Sequence, residues 1–182
     1  MKKIVLFVVA VINLVGCCKQ GNEIGKEIIP EENKVYFNTS SKTVEYINQD
    51  DISEFLVFSG IIYSNYQEEI GADACDYRTY EEGEEYFNLN NYKIVLKITP
   101  FNFIVQTLQD EIVKEGFNLS YGGQSLDNLL QNISINGFIF NDILILENHN
   151  EINPIIEKIL YSKTHGIEFI LFEDGTWYKR VE

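Results

Sequence analysis

The chain has 182 residues, 28 acidic against 14 basic side chains, and a formal net charge of −14. That balance excludes a nucleic-acid partner, whose phosphates demand a basic surface. Ile is abundant and Ala occurs only at positions 10, 72 and 74, a mixture that favours strands over helices.

Read in chain order, Met1-Lys2-Lys3 is a short positive start, and Ile4 to Val15 is apolar except for Asn13. A bilayer span needs about 20 apolar residues, so this block fits the apolar region of an export signal. The run Leu14-Val15-Gly16-Cys17 that closes it resembles the lipobox of bacterial lipoproteins. The resemblance implies a diacylglyceryl thioether on Cys17, cleavage before it, and palmitate-type acylation of the new terminus. It divides the chain into a signal peptide at 1–16, a lipidated cysteine with a flexible tether at 17–33, and one globular domain at 34–182. Two acyl chains hold a protein stably at a membrane where one does not. Loss of Lys2 and Lys3 would take the charge from −14 to −16, which keeps the body off an anionic surface. Cys18, which is not Asp, follows the lipid cysteine and favours the outer membrane over the inner one. Cys18 and Cys75 are then left as free thiols or as a pair.

Residues 19–33 have no aromatic and no periodicity, and as flexible coil would span roughly 20 Å. Val35 to Phe37 and Thr43 to Ile47 read as short strands. Asp51 to Glu54 has the form of a capping box, but the run from Phe55 to Tyr63 reads as strand. Residues 68–85 hold eight carboxylates against Arg78, with tyrosines interleaved, and are expected to be a long exposed loop. Tyr92 to Thr99 alternates as a strand does. Ile104, Val105, Leu108 and Ile112 fall on one face of a helix predicted from Phe103 to Glu115, with Asn102 as cap and Gly116 as stop. A second short helix is expected after Ser125.

Asn136-Gly137 and Asp174-Gly175 predict tight hairpins, the second placing Trp177 opposite Phe172. Ile143 to Leu146 is apolar on both faces and reads as a central strand. Residues 155–162 read as a further strand, leading into a turn at Thr164-His165-Gly166. The expected fold is α+β, a dominant antiparallel meander with one or two short helices packed on one face.

No catalytic motif emerges. His149 and His165 have no metal-ligand spacing and read as exposed loop residues. There is no nucleophile elbow, and Asp73 and Asp76 lack the order of a calcium loop. No cofactor or metal is expected, and the chain reads as non-enzymatic. The leading expectation is an acidic binding module of the cell envelope, tied to the membrane through Cys17. Its candidate interaction surface is Tyr77, Tyr80, Glu81, Glu82, Glu84 and Glu85, for a basic protein partner; one specific form is an immunity-type protein that binds a basic toxin. A carrier of a lipid or hydrophobic ligand in a curved-sheet cavity, and a carboxylate-dependent hydrolase, are the alternatives.

Overall fold

Period-two alternation governs most of the described residues, and two sheets result. A computed structural model describes residues 21–70, 76–149 and 155–181. The leader, Cys17, Cys18 and Cys75 lie outside these residues, and so do the expectations placed on them.

The first sheet contains β1 (Glu23–Glu27), β4 (Ile62–Ile70), β5 (Asp76–Leu89), β6 (Tyr92–Ile98), β7 (Asn102–Gln109) and β8 (Ile112–Ser120). β5 is its spine. One edge of β5 pairs with β4, and the other pairs first with β1 and then with β6. The second sheet runs in the order β3 (Ser53–Phe58), β2 (Lys42–Asn48), β13 (Trp177–Arg180), β12 (Gly166–Phe172), β11 (Ile156–Ser162), β10 (Phe138–Glu147), β9 (Gln131–Ile135). Every pairing is antiparallel except β1 with β5, which is parallel.

The inner faces of the sheets share one core. Phe103 from β7 and Tyr161 from β11 meet edge to face at 5.1 Å, and Phe37 closes the triangle at 5.2 and 5.7 Å. Each ring buried this fully stabilises the fold by about 1.5–3 kcal/mol. Two phenol groups are satisfied inside the core: Tyr46 donates to the Ile167 carbonyl at 2.7 Å and Tyr161 to the Tyr36 carbonyl at 2.9 Å.

The sheet-dominant expectation holds, and a short helix does follow Ser125, but the helix expected from Phe103 to Glu115 does not form. Helix α1 (Glu31–Lys34) is one turn, and Leu126–Leu129 is a 3-10 turn capped by the Ser125 hydroxyl. The second sheet, not helices, covers the first. The helix predicted from Phe103 to Glu115 is the β7–β8 hairpin. Phe103, Val105 and Thr107 are buried in alternation, a period of two inside what reads as a period of 3.6. Asp110 and Glu111 both take positive φ (53° and 59°) at its tip, the geometry of a two-residue hairpin turn. Gly116 lies within β8.

Residues 21–33 are not a tether. β1 adds to β5, Ile29 is wholly buried, and the Asn33 side chain bridges the Leu126 N–H and the Gln124 carbonyl. Val35 to Phe37 follow α1 as a turn, with Tyr36 and Phe37 buried. Of the expected loop at 68–85, residues 68–70 and 76–84 are instead paired in the β4–β5 ladder. Ile62 and Tyr63 begin β4, and the chain passes from β3 to β4 through Ser59-Gly60-Ile61.

The strands from Thr43, from Tyr92 and at 155–162 appear as expected; β10 lies between β9 and β11, Ile143 pairing with both and Leu144–Leu146 with β11 alone. Asn136 and Gly137 form the expected two-residue turn, with φ of 49° and 82°. The last hairpin differs. Leu171, not Phe172, stands opposite Trp177, and only Gly175 in the loop has positive φ (84°). One extra loop residue moves Trp177 to the opposite face from Phe172. Phe172 packs on Tyr178 in the core, while Trp177 stacks on Phe169 at 5.7 Å on the outer face.

Candidate functional site

The six residues expected to form an acidic surface all lie on β5, and alternation separates them. Tyr80, Glu82 and Glu84 face outward. Tyr80 stacks on its cross-strand partner Tyr66 at 5.3 Å. The Lys97 ammonium lies 3.3 Å from Glu82 and 3.7 Å from Glu84. Tyr77, Glu81 and Glu85 belong to the other face. Glu81 accepts from the Lys34 ammonium at 2.9 Å and from the Ile29 N–H at 3.0 Å. It closes the N-terminal segment onto β5.

Glu85 is 3% exposed and is no part of a surface. Burial raises its carboxyl above the usual range, opposed by the Lys42 ammonium and the Gly60 N–H. One of its oxygens, Oε1, has no hydrogen-bond partner. The six do not form one patch, and the two outward carboxylates share one cation, Lys97.

A cleft of about 970 Å³ opens elsewhere, on the outer side of the second sheet. Two irregularities build it. A bulge in β10, between Phe140 and Ile143, includes Asp142 at φ 55°. Past it the β9–β10 hairpin leaves β11 and carries Phe138 onto Trp177 (5.3 Å) and Phe169 (6.3 Å). This small outer core fixes one wall, with Ile139 and Phe140 on it. The second irregularity is in β12. Leu160 faces Phe169 while Tyr161 faces Ile167, so Glu168 is an extra residue. Bulges of this kind re-aim a side chain, and Glu168 turns into the cleft.

The β11–β12 turn forms the opposite wall. The Ser162 hydroxyl donates to Glu168 at 2.6 Å and accepts from the His165 N–H at 3.0 Å. His165 Nδ1 lies 2.9 Å from the same Glu168 oxygen. The Arg180 guanidinium donates to the His165 carbonyl at 2.6 Å, and the Lys42 ammonium donates to it at 3.2 Å. Lys179 donates to the Arg180 carbonyl at 3.2 Å, its ammonium 5.3 Å from the Phe138 ring. Below, Lys163 contacts both oxygens of Asp127 at 2.8 Å, and the Tyr36 phenol donates to Asp127 at 2.6 Å. These hydrogen bonds from Lys163 and Tyr36 hold the Asp127 carboxyl below its usual range.

Serine, histidine and glutamate therefore meet, but in the wrong order for nucleophilic catalysis. A hydrolase needs imidazole between the hydroxyl and the carboxylate. Here Glu168 stands between Ser162 and His165, and the hydroxyl donates its hydrogen bond to the carboxylate. Among the described residues no group of three or more His, Cys, Asp or Glu side chains could hold a metal ion. What the cleft offers is hydrogen bonding and charge, flanked by apolar contact area. His165 lies in a turn, as its neighbours imply, yet at the rim of this cleft. His149 is exposed beyond β10.

Reading the sequence missed Lys163, Glu168, Lys179 and Arg180. Lys179-Arg180 is the one adjacent pair of cations outside the leader, and that pairing was the available signal. No protein-family model matches the chain, and neither a curated protein nor a solved structure is significantly similar to it.

Proposed function

We propose that the chain is a non-enzymatic binding module of the cell envelope, anchored through acyl chains on Cys17, and that its ligand site is the polar cleft between the β9–β10 hairpin and the β11–β12 turn. The single observation that carries the binding reading is the cleft itself. Its volume of about 970 Å³ lies within the range of small-ligand sites, and its walls are held by an independent aromatic cluster. The serine, histidine and carboxylate in it are locked to one another in an order unsuited to catalysis. The anchorage rests on Leu14-Val15-Gly16-Cys17 behind its apolar block. The carrier reading receives less support, because Phe37, Phe103, Tyr46 and Tyr161 fill the space between the sheets.

Cys17→Ser removes the thiol that the glyceryl group would take. The expected result is loss of radiolabelled-palmitate incorporation and retention of the leader. Uptake of label by the variant, with normal cleavage, would refute the anchorage.

A second reading keeps a basic protein partner, on the outer face of the first sheet. The stacked Tyr66 and Tyr80 beside Glu82 and Glu84 favour it, since tyrosine gives contact area at small entropic cost. Changing Glu82 and Glu84 to Gln should then slow association and flatten its dependence on salt. A partner indifferent to both changes would dismiss that face.

A further inference from the structure

We infer that the cleft recognises an oxyanion, a carboxylate, sulfate or phosphate group on a small polar molecule, with Arg180 and Lys179 as its charge contacts. The inference deepens the binding-module reading and rests on it.

In a chain with twice as many acids as bases, a cation finds a carboxylate readily. Lys34, Arg78, Lys93, Lys97, Lys158 and Lys163 each lie within 4 Å of one. Among the described residues Lys26, Lys42, Lys114, Lys179 and Arg180 have no carboxylate within that distance; of these, Lys179 and Arg180 line the cleft, and Lys42 reaches the same turn as Arg180. Arg180 and Lys42 share one acceptor, the His165 carbonyl oxygen. Like charges held together are unfavourable unless something between them is negative. Burial lowers the Lys42 ammonium most; Glu85 opposes it, and beyond that Arg180 lowers it and Glu168 raises it.

The alternative, that these cations are merely solvated, does not explain their placement. Arg180 and Lys179 line a cleft, and each is held by a backbone carbonyl rather than free to wander. Guanidinium has five N–H donors in a rigid fork. Arg180 uses Nη1 on His165, and no other acceptor among the described residues engages it. The remaining donors match two oxygens of one oxyanion. The carboxylates nearby do not compete equally. Asp127 is taken by Lys163 and Tyr36, and Glu168 by Ser162 and His165, while Asp142, on the β10 bulge of the same cleft, has no cation within 4 Å among the described residues. Ile139 and Phe140 give the body of the ligand an apolar wall.

The test uses the full chain in detergent, with and without Cys17→Ser, so that failure of the anchorage leaves the binding result intact. Inorganic phosphate, sulfate, acetate and glucose are titrated separately, followed by the His165 ring resonances. At least one oxyanion should bind saturably with Kd near or below about 10 mM, a few kcal/mol of binding free energy. Arg180→Gln and Lys179→Gln should each weaken it about tenfold, the effect of one charge-assisted hydrogen bond. Arg180→Lys should fall between, keeping charge but losing the fork. Lys114→Gln, on exposed β8, should bind as the parent does. Matching unfolding curves for the variants confirm that the site, not the fold, was changed. Which oxyanion binds best distinguishes a carboxylate from a phosphate or sulfate ligand. No saturable oxyanion binding, binding unchanged in Arg180→Gln and Lys179→Gln, or equal binding of glucose would each overturn the inference.

Discussion

Replacing Gly60 by Ala tests the corner at which the chain leaves one sheet for the other. Ser59 donates to the Tyr86 carbonyl at 2.9 Å and Ile61 to the Asn38 carbonyl at 2.8 Å, so residues on both sides of Gly60 are fixed. Gly60 sits at φ +78°, and a Cβ there would lie 2.8 Å from the Ser40 carbonyl carbon, 2.9 Å from the Thr39 oxygen and 3.0 Å from the Ser41 nitrogen. All three atoms are backbone and cannot rotate aside. The left-handed conformation costs a residue with a Cβ about 1–2 kcal/mol, and forcing the 39–41 segment outward adds about 1–3 kcal/mol. Gly175 separates the two contributions. Its φ is +84°, yet nothing lies within 4 Å of a Cβ built there. Gly175→Ala should therefore cost only the conformational part. Urea unfolding of both variants gives the comparison, with Gly60→Ala expected to lose about 1–3 kcal/mol more. Equal losses, or a smaller loss at Gly60, would refute the steric account of this corner.

Glu115 on β8 accepts from the Thr107 hydroxyl, the Ile155 and Ile156 N–H groups and the Asn148 amide at 2.8–3.1 Å. Glu115→Gln turns an acceptor into a donor facing donors, and should cost about 1–3 kcal/mol in thermal or urea unfolding. An unchanged midpoint would mean that this carboxylate does not join the sheets. Glu85 supplies a pH test. Burial raises its carboxyl in the folded state, so the native protein takes up the proton before the unfolded chain does. Its contribution then declines as pH rises from the ordinary carboxylate range through the raised value. Glu85→Gln should gain stability relative to the parent on going from acid to neutral pH. A difference that is flat or of opposite slope would dismiss the burial argument.

The strands with regular alternation were legible from the residues alone, and so was the Asn136-Gly137 turn. The errors share a physical cause. Ile104, Val105, Leu108 and Ile112 satisfy a helical face, but Phe103, Val105 and Thr107 satisfy a strand face as well. The facing sheet decided between them, and that is a long-range fact. The acidic run at 76–85 was misread because counting carboxylates ignores alternation. Lys34, from 47 residues upstream, neutralises one face and Lys97 the other. The cleft was illegible for a similar reason. Its walls come from bulges in β10 and β12, where one extra residue changes direction without a compositional mark.

The joining of β1 to β5 has a mechanical meaning for a chain held at Cys17. Only five residues separate that cysteine from Glu23, so even fully extended they reach no more than about 20 Å. The sandwich would ride close to the bilayer, and any drag on it would load β1 first. A pull along the strand strains the pairs from Glu23–Tyr77 to Glu27–Tyr80 together, whereas a sideways pull opens them one at a time. Behind that ladder stands Glu81, gripping the Ile29 N–H and the Lys34 ammonium. It would act as a latch, the second point that must yield before traction on the lipid reaches the aromatic core.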